Sequence, residues 1–587
     1  MKLRSLTILA ACFLVYACAE KPHPEDFDLT TRFEKSGGTQ TETYDEIMEF
    51  YENLDQAYVS IKTYKIGKTD SGEPLTLVTF NPHRTFDSEF DDRMDVTRLL
   101  INNGIHPGEP DGIDATMLMM RDLAEGKLKA PENLWIGAIA VYNIGGALNR
   151  NSTSRTNQNG PEEYGFRGNA RNYDLNRDFI KADTWNARTF ADIYHMVNPD
   201  FLIDNHVSNG ADYQYVLTHL LTQHDKLGSR LGMYMKNEFQ VKLENSLKEK
   251  GWPITPYVNV FNAVPEQGFS QFMDYPRYST GYTTLWNTAG LMVETHMLKP
   301  YKPRVEGTYE LMKTVLDIAE EDGEKVRLLR IAENEIYKTG EKTGTRYPIA
   351  FDVDSSKVST YDFLGYEGKM INSDITGLQR LKYDRDKPFT KAVDYYDNFK
   401  VTAQVTIPKA YIIPQGWHNV IDRLKENEID FSRLQKDTIM EVEVYHIASY
   451  DTRNTAYEGH YPHYNTQVDT SMAKIALRKG DYVVNTAQGG MRYLLETLEP
   501  AGVDSFFNWN YFDTILQQKE GFSPYVWEDK AKELLDASPA LKKEFEQKRI
   551  DEARFRESWY AQLDWLHKHS PNYETAHLRY PIFRVRD

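Results

Sequence analysis

Apolar positions in residues 44–341 follow the two periods of an α/β protein. Short apolar runs bounded by Gly, Asn or Pro are typical of buried strands, whereas spacings of three and four residues are typical of helices. The strand-type runs lie at residues 95–105, 134–144, 199–207 and 289–297. The helical patterns lie between them, at residues 111–126 and 226–251. This alternation predicts an α/β domain with a mixed central β-sheet flanked by helices.

The pattern changes after about residue 342. Residues 399–414 and 438–450 alternate apolar and polar positions between turn signals, which indicates antiparallel strands. A long polar stretch with helical spacing follows at residues 528–569. We therefore expect an α/β domain at 44–341 and a C-terminal β-rich module with a helical segment at 342–587.

The N-terminus has the pattern of an export signal. Lys2 and Arg4 precede an apolar stretch that is too short to span a bilayer and ends at Cys18. A small residue before this cysteine resembles a bacterial lipoprotein processing site, with plain cleavage as the alternative. We expect a signal peptide at 1–18, a tether at 19–43 and lipidation of Cys18. The mature protein would then be periplasmic or anchored in the outer membrane, with no other membrane contact.

Composition narrows the possible classes of protein. The chain has 587 residues, of which 40 % are hydrophobic, so a single ordinary domain is too small for it. The formal net charge is −18 and the sequence shows no basic face, which argues against a nucleic-acid-binding protein. The only cysteines are Cys12 and Cys18, so the mature chain cannot form an internal disulfide.

Residues of types that commonly bind metals lie at or near the ends of three of the strand-type runs. His106 and Glu109 follow the first run, His206 ends another, and Glu294 stands near the end of the last. Ligands gather at the carboxyl ends of strands in open α/β sheets. Two imidazoles and a carboxylate are the ligand set of a catalytic zinc, and a further carboxylate is then needed as general base. We therefore expect one zinc ion per chain, with Glu294 as the candidate base.

A long polar loop connects these residues to a known family. It ends in RGNARNYDLNRDF, residues 167–179. The order HPGE, this segment, DNH and VETH resembles the zinc carboxypeptidases of the pancreatic carboxypeptidase type over residues 44–313. The resemblance implies the corresponding fold and a metallocarboxypeptidase that hydrolyses C-terminal peptide bonds with a zinc-activated water.

The resemblance also implies a role for each matching residue. It makes His106, Glu109 and His206 the zinc ligands, Glu294 the general base, Asn176 and Arg177 the groups that hold the substrate carboxylate, and Asp174 the carboxylate that orients His106. Arg167 is our choice for the arginine that stabilises the oxyanion, with Arg155 and Arg171 as rivals. Tyr278 or Tyr282 is the expected substrate-contacting tyrosine, and Arg277 is a further group that could bind a substrate carboxylate.

Two other functions compete with this interpretation. An amidohydrolase that deacylates N-acyl amino acids would use the same zinc site and the same carboxylate-binding pair. A non-catalytic protein that binds cell wall or glycan would need neither, and the complete set of ligands with Glu294 argues against it. The expected substrate is a peptide or a cell-wall peptide with a free carboxylate. Taken in isolation, His460 and His463 of EGHYPHYN could bind a metal, and the alternative is that they belong to a polar loop of the C-terminal module.

Overall fold

The computed structural model describes residues 23–83 and 96–586, and its first half is built on one sheet of eight strands. The strands of this half are β1 Ile61–Ile66, β2 Leu75–Phe80, β3 Thr97–Asn102, β4 Leu134–Ile139, β5 Phe201–Ser208, β6 Leu217–Leu221, β7 Ile254–Pro256, β8 Phe269–Ser270 and β9 Ala289–His296. All but β8 join in the order β1-β2-β4-β3-β5-β9-β6-β7. The strands β4, β3, β5 and β9 run parallel to one another. The pairs β1–β2, β2–β4 and β6–β9 are antiparallel, and β7 is parallel to β6. This mixed sheet confirms the predicted fold class.

Both faces of the sheet are buried. The helices of this half are α1 Arg32–Lys35, α2 Tyr44–Ala57, α3 Asp111–Ala124, α4 Ile144–Leu148, α5 Trp185–Val197, α6 His224–Leu227, α7 Ser229–Tyr234, α8 Gln240–Glu249, α9 Ser279–Thr284 and α10 Tyr301–Lys338. Successive strand residues point to opposite faces. Leu99 and Ile101 of β3 accordingly pack with α2, α3, α8 and α10, whereas Leu100 packs with α5, α9 and the C-terminal half. This is why residues 99–101 of β3 are all apolar.

The described part of the expected tether is folded onto this domain. Leu29 and Phe33 lie in the same core as α2 and α3. Glu34 accepts two hydrogen bonds from Arg121, at 2.7 and 2.8 Å. Two apolar residues and one acid in a polar stretch give only a weak sequence signal that the segment is folded. In the structure, the buried guanidinium of Arg121 gives Glu34 a specific partner.

The C-terminal half is rich in β-structure, as the alternation predicts. Its strands are β10 Arg346–Val353, β11 Ser359–Asn372, β12 Gln379–Tyr396, β13 Phe399–Thr406, β14 Ala410–Ile413, β15 Ser432–Arg433, β16 Thr438–Thr452, β17 His463–Leu477, β18 Tyr482–Asn485 and β19 Phe583–Val585. Its helices are α11 His418–Glu426, α12 Met491–Leu498, α13 Pro524–Ala537, α14 Pro539–Asp551, α15 Ala553–Arg556 and α16 Trp559–Lys568. After the helical segment the chain returns as β19 into a six-stranded sheet between β14 and β16.

The two halves share structure. β8 of the first half pairs with the end of β12, where Phe269 lies opposite Tyr395. One apolar core also runs from α5 and α9 into α11 and α12. The expected boundary near residue 342 follows the end of α10, but the C-terminal module covers one face of the first half.

No helix in residues 23–83 and 96–586 is both long and apolar enough to cross a membrane. The predicted signal peptide, with Cys12 and Cys18, lies outside the described residues.

Candidate metal centre

Three adjacent parallel strands bring the predicted metal ligands to one edge of the sheet. The strands β3, β5 and β9 are neighbours, so their carboxyl ends lie side by side. His106 and Glu109 occupy the turn that follows β3. His206 of β5 lies directly opposite Glu294 of β9 in the strand register, so both side chains point to the same face.

The turn after β3 is tight and packs closely against the loop that contains Arg155 and Gly165. The Glu109 N–H donates to the His106 carbonyl at 2.8 Å, which folds both side chains to the same side. A Cβ on Gly108 would lie 2.6 Å from Cδ of Arg155 and 2.9 Å from the Gly165 carbonyl oxygen. Glycine is therefore required at this position by space.

His106, Glu109 and His206 form one buried cluster. Their ligand atoms all lie within 4.8 Å of one another, and they are the one group of this kind among the described residues. Nδ1 of His106 lies 3.2 Å from Glu109 Oε1, and Nδ1 of His206 lies 3.1 Å from Glu109 Oε2. A tetrahedron with bonds of about 2.1 Å has edges of about 3.4 Å, so this donor set and spacing fit zinc.

A carboxylate orients each histidine from behind. Nε2 of His106 lies 2.9 Å from Asp174, and Nε2 of His206 lies 3.0 Å from Asp204. Both Nδ1 atoms are thereby directed to the cluster. Asp174 was expected from the sequence, whereas Asp204 was missed. Its signal is local, because Asp204 stands two residues before His206 and thus points to the same face of β5.

Removal of the Asp204 charge should weaken metal binding. We expect the Asp204→Asn variant to bind zinc roughly 10- to 100-fold more weakly, because the neutral amide makes His206 a poorer ligand. Competition with a chromophoric chelator measures the affinity. Asp200→Asn is the matched control, since Asp200 is also buried and directly precedes β5 but pairs with Arg330 at 2.9 Å. Equal zinc affinity in the wild type and the Asp204 variant would contradict the orienting role.

Two arginines lie close to Glu109. Arg155 lies 2.9 Å from Glu109 Oε1, and Arg167 lies 3.7 Å from the same atom and 2.8 Å from Asp174. Burial alone would raise the pKa of Glu109, but Arg155 and His106 hold it well below its usual range. Of the three candidate arginines, Arg167 lines the cavity at the cluster, while Arg171 instead lies over the ring of Tyr173.

The predicted carboxylate-binding residues line the same cavity. Asp174 caps the short 3₁₀ turn Leu175–Arg177 by accepting from the Asn176 N–H at 3.0 Å. The guanidinium of Arg177 lies 4.6 Å from the ring centre of Tyr278. The side-chain oxygen of Asn176 is buried and has no hydrogen-bond partner among the described residues. Arg177, Asn176 and Tyr278 therefore present polar groups to an incoming ligand.

The structure separates two of the other predicted residues from this cavity. Tyr282 is buried in the core shared with the C-terminal half, and its hydroxyl donates to Asn427. Its position in α9 turns it away from the sheet edge, so among the two candidate tyrosines only Tyr278 lines the cavity. Arg277 pairs with Asp504 at 2.7 Å, so its guanidinium already has a carboxylate partner.

The cavity has a volume of about 420 Å³ and holds most of the predicted site. Its predicted members are His106, Glu109, Arg167, Asn176, Arg177, His206, Tyr278 and Glu294. Burial raises the pKa of the Glu294 carboxyl to about 8, although His206 opposes that effect. A carboxyl of this kind can exchange a proton near neutral pH. Tyr257 and Phe272 also line the cavity and were missed, because no motif marks them.

A larger cavity of about 1470 Å³ lies in the C-terminal half. Of the residues predicted for the site, Arg277 alone lines it. His463 lies at its wall and pairs with Asp513 at 3.0 Å, whereas His460 pairs with Asp183 at 2.7 Å. These two histidines therefore have different partners and do not form a metal cluster in the described part of the chain.

Comparisons with known proteins agree with this geometry. No model of a known protein family matches the chain. Carboxypeptidase 2 of Trichophyton rubrum is 22 % identical over 505 residues, which are 80 % of this chain and 84 % of that protein. Carboxypeptidase 2 of Trichophyton tonsurans is 22 % identical over 440 residues, which are 70 % and 73 % of the two chains.

Solved structures that match part of the chain include two carboxypeptidases. A metallo-carboxypeptidase from Burkholderia cenocepacia has a TM-score of 0.36 and 13 % identity, over 48 % of this chain and 69 % of that one. Carboxypeptidase A from Helicoverpa armigera has a TM-score of 0.36 and 11 % identity, over 49 % and 73 %. The chain is thus similar over most of its length to curated carboxypeptidases, and its His-Glu-His cluster agrees with a zinc carboxypeptidase-like family.

Proposed function

We propose that the protein is a zinc-dependent carboxypeptidase that hydrolyses C-terminal peptide bonds. The observation that carries this proposal is the shared cavity, in which a His-Glu-His cluster, the carboxyl of Glu294 and the guanidinium of Arg177 face the same space. The first two groups suit amide hydrolysis, and the third suits recognition of a free terminal carboxylate.

The metal would be held by His106, Glu109 and His206. Each histidine offers Nδ1, because its Nε2 is engaged by an aspartate, and Glu109 is the anionic ligand. Zinc bound there would supply Lewis acidity, which lowers the pKa of water and polarises a substrate carbonyl. Neutral imidazoles and one carboxylate leave room for a fourth ligand, which is the pattern of catalytic rather than structural zinc sites.

Glu294 and Arg167 would act on the reacting atoms. Glu294 accepts a proton from the attacking water and delivers it to the leaving amine, a role that suits a buried carboxyl with a raised pKa. Arg167 lines the cavity beside the cluster and carries its charge on a half-exposed side chain. Its N–H groups would stabilise the negative charge that develops on the carbonyl oxygen.

Asn176, Arg177 and Tyr278 would hold the terminal residue of the substrate. A planar guanidinium can bind both oxygens of a carboxylate with two parallel hydrogen bonds. Burial would lower the pKa of Arg177, but Tyr278 and Asp174 together raise it, so the charge on Arg177 persists. The unpartnered oxygen of Asn176 can accept from the N–H of the terminal residue.

The Arg177→Ala variant tests the exopeptidase assignment. We expect kcat/KM for a peptide with a free C-terminal carboxylate to fall roughly 10- to 100-fold, because a charge-assisted pair of hydrogen bonds is lost. The same peptide with a C-terminal amide should lose far less. Arg171→Ala is the matched control, since Arg171 is an exposed arginine of the same loop.

Two outcomes would redirect the proposal. Equal losses on the free and the amidated peptide would favour an endopeptidase. Hydrolysis of N-acyl amino acids in preference to every peptide would favour the deacylase.

The cellular setting is proposed from the sequence alone. The N-terminal signal pattern and Cys18 support export with a lipid anchor, to the periplasm or the outer membrane. The substrates there would be peptides or cell-wall peptides with a free carboxylate. Mass spectrometry of the mature N-terminus distinguishes lipidation of Cys18 from plain cleavage.

A further inference from the structure

We propose that a loop of the C-terminal module is a positioning element of the active site. The loop comprises residues 453–462, between β16 and β17, and we call it the docking loop. Its residue Glu458 is inferred to hold the segment that carries Asp174 and Arg177. This inference rests on the proposed function for its kinetic consequences, but its structural basis stands apart from any activity.

The tip of the docking loop is a two-residue hairpin turn. Tyr457 and His460 exchange backbone hydrogen bonds of 2.8 and 3.1 Å, and Glu458 and Gly459 form the turn between them. Both turn residues have positive φ, 49° and 77°. Turns of this kind favour Asn or Gly at both positions. A glutamate at the first position is thus unfavourable for the backbone, which suggests that its side chain is needed elsewhere.

The side chain of Glu458 reaches the catalytic half. Its Oε2 accepts a hydrogen bond from the Asp174 N–H at 2.8 Å. Asp174 is the residue whose carboxylate binds His106 and Arg167 and caps the turn that presents Arg177. One bond from the C-terminal module therefore fixes the backbone at the point where the metal cluster and the carboxylate-binding residues meet.

Neighbouring contacts hold the loop in place. A Cβ on Gly459 would lie 2.6 Å from the Tyr173 hydroxyl, so the close approach requires glycine. His460 pairs with Asp183 at 2.7 Å, beyond Arg177 in the sequence. Burial acts to lower the pKa of Arg177, and the Tyr457 hydroxyl is among the groups that raise it. The docking loop thus contacts the chain on both sides of Arg177, at Asp174 and at Asp183.

Two substitutions separate positioning from folding. Glu458→Asn suits the positive φ but is too short to reach the Asp174 N–H, whereas Glu458→Gln keeps the length and an acceptor oxygen. We expect Glu458→Asn to unfold at a temperature no lower than the wild type, yet to raise KM for a free-carboxylate peptide about tenfold with little change in kcat. Glu458→Gln should restore KM to within about twofold of the wild type.

Hydrogen exchange gives a readout that does not need activity. The peptide covering residues 170–183 should exchange about tenfold faster in Glu458→Asn, because the protecting bond is lost. Glu574→Asn is the matched control, since Glu574 accepts from the N–H groups of Lys519 and Glu520 at 2.7 and 2.8 Å. This control should change exchange only near those residues.

Each outcome bears on a different claim. Unchanged exchange at residues 170–183 in Glu458→Asn would overturn the positioning role. A parallel fall in unfolding temperature with a rise in KM would also overturn it, because it would indicate a merely structural contact. An inactive wild type would contradict the proposed function, whereas the exchange result would still decide the role of the docking loop.

Discussion

The His206→Ala variant is expected to lose its zinc and all measurable peptidase activity, while the wild type holds about one zinc per chain. His206 supplies one of three donor atoms that lie within 4.8 Å of one another, and the other two leave too few protein ligands for tight binding. Elemental analysis after dialysis measures the metal, and circular dichroism checks that the variant is folded.

The matched control is His219→Ala. His219 is as buried as His206 and also pairs with an acid, Glu244 at 2.8 Å, but it lies outside the metal cluster. It should keep its zinc and its activity. A His206→Ala protein that retains the zinc content of the wild type would refute the ligand assignment, and His106→Ala provides an independent repeat of the test.

The position of this cluster could be predicted because its sequence signals are local. Each of β3, β5 and β9 contains at least three consecutive apolar residues before the polar residues that follow in the strand, as expected for strands buried on both faces. A polar side chain after such a run must lie at the sheet edge. Asp204 of β5 was not predicted, because the sequence around a single buried acid does not indicate which histidine it orients.

Contacts between distant parts of the chain could not be predicted in this way. Glu458 lies 284 residues after Asp174, and nothing in the sequence around either residue indicates the bond between them. Tyr282 shows the reverse case. It stands only 12 positions before Glu294, but the helical turn of α9 directs it to Asn427 in the C-terminal half. The number of positions between two residues is therefore a poor guide to their distance in space where a second module completes the core.

The Glu294→Gln variant should keep its zinc and lose activity by about a thousandfold, the scale of a general base held at the reacting atoms. Glutamine has the same length but cannot accept a proton at neutral pH. Because Glu294 belongs to β9, not to the group of three ligand residues, the cluster should remain intact. Activity and zinc content are measured on the same preparation, so loss of metal is distinguished from loss of the base.

A buried acid elsewhere controls for the loss of a carboxylate as such. Glu496 is also fully buried, and burial likewise raises its pKa, but it accepts from the Tyr347 hydroxyl at 3.1 Å in the C-terminal half. Glutamine can accept the same bond, so Glu496→Gln should remain active. If Glu294→Gln keeps more than a few per cent of the wild-type kcat, at roughly the lower bound for a positioned base, the proton must move through another group. The two variants together therefore decide whether activity depends on the carboxylate of Glu294 specifically or falls when any buried carboxylate is removed.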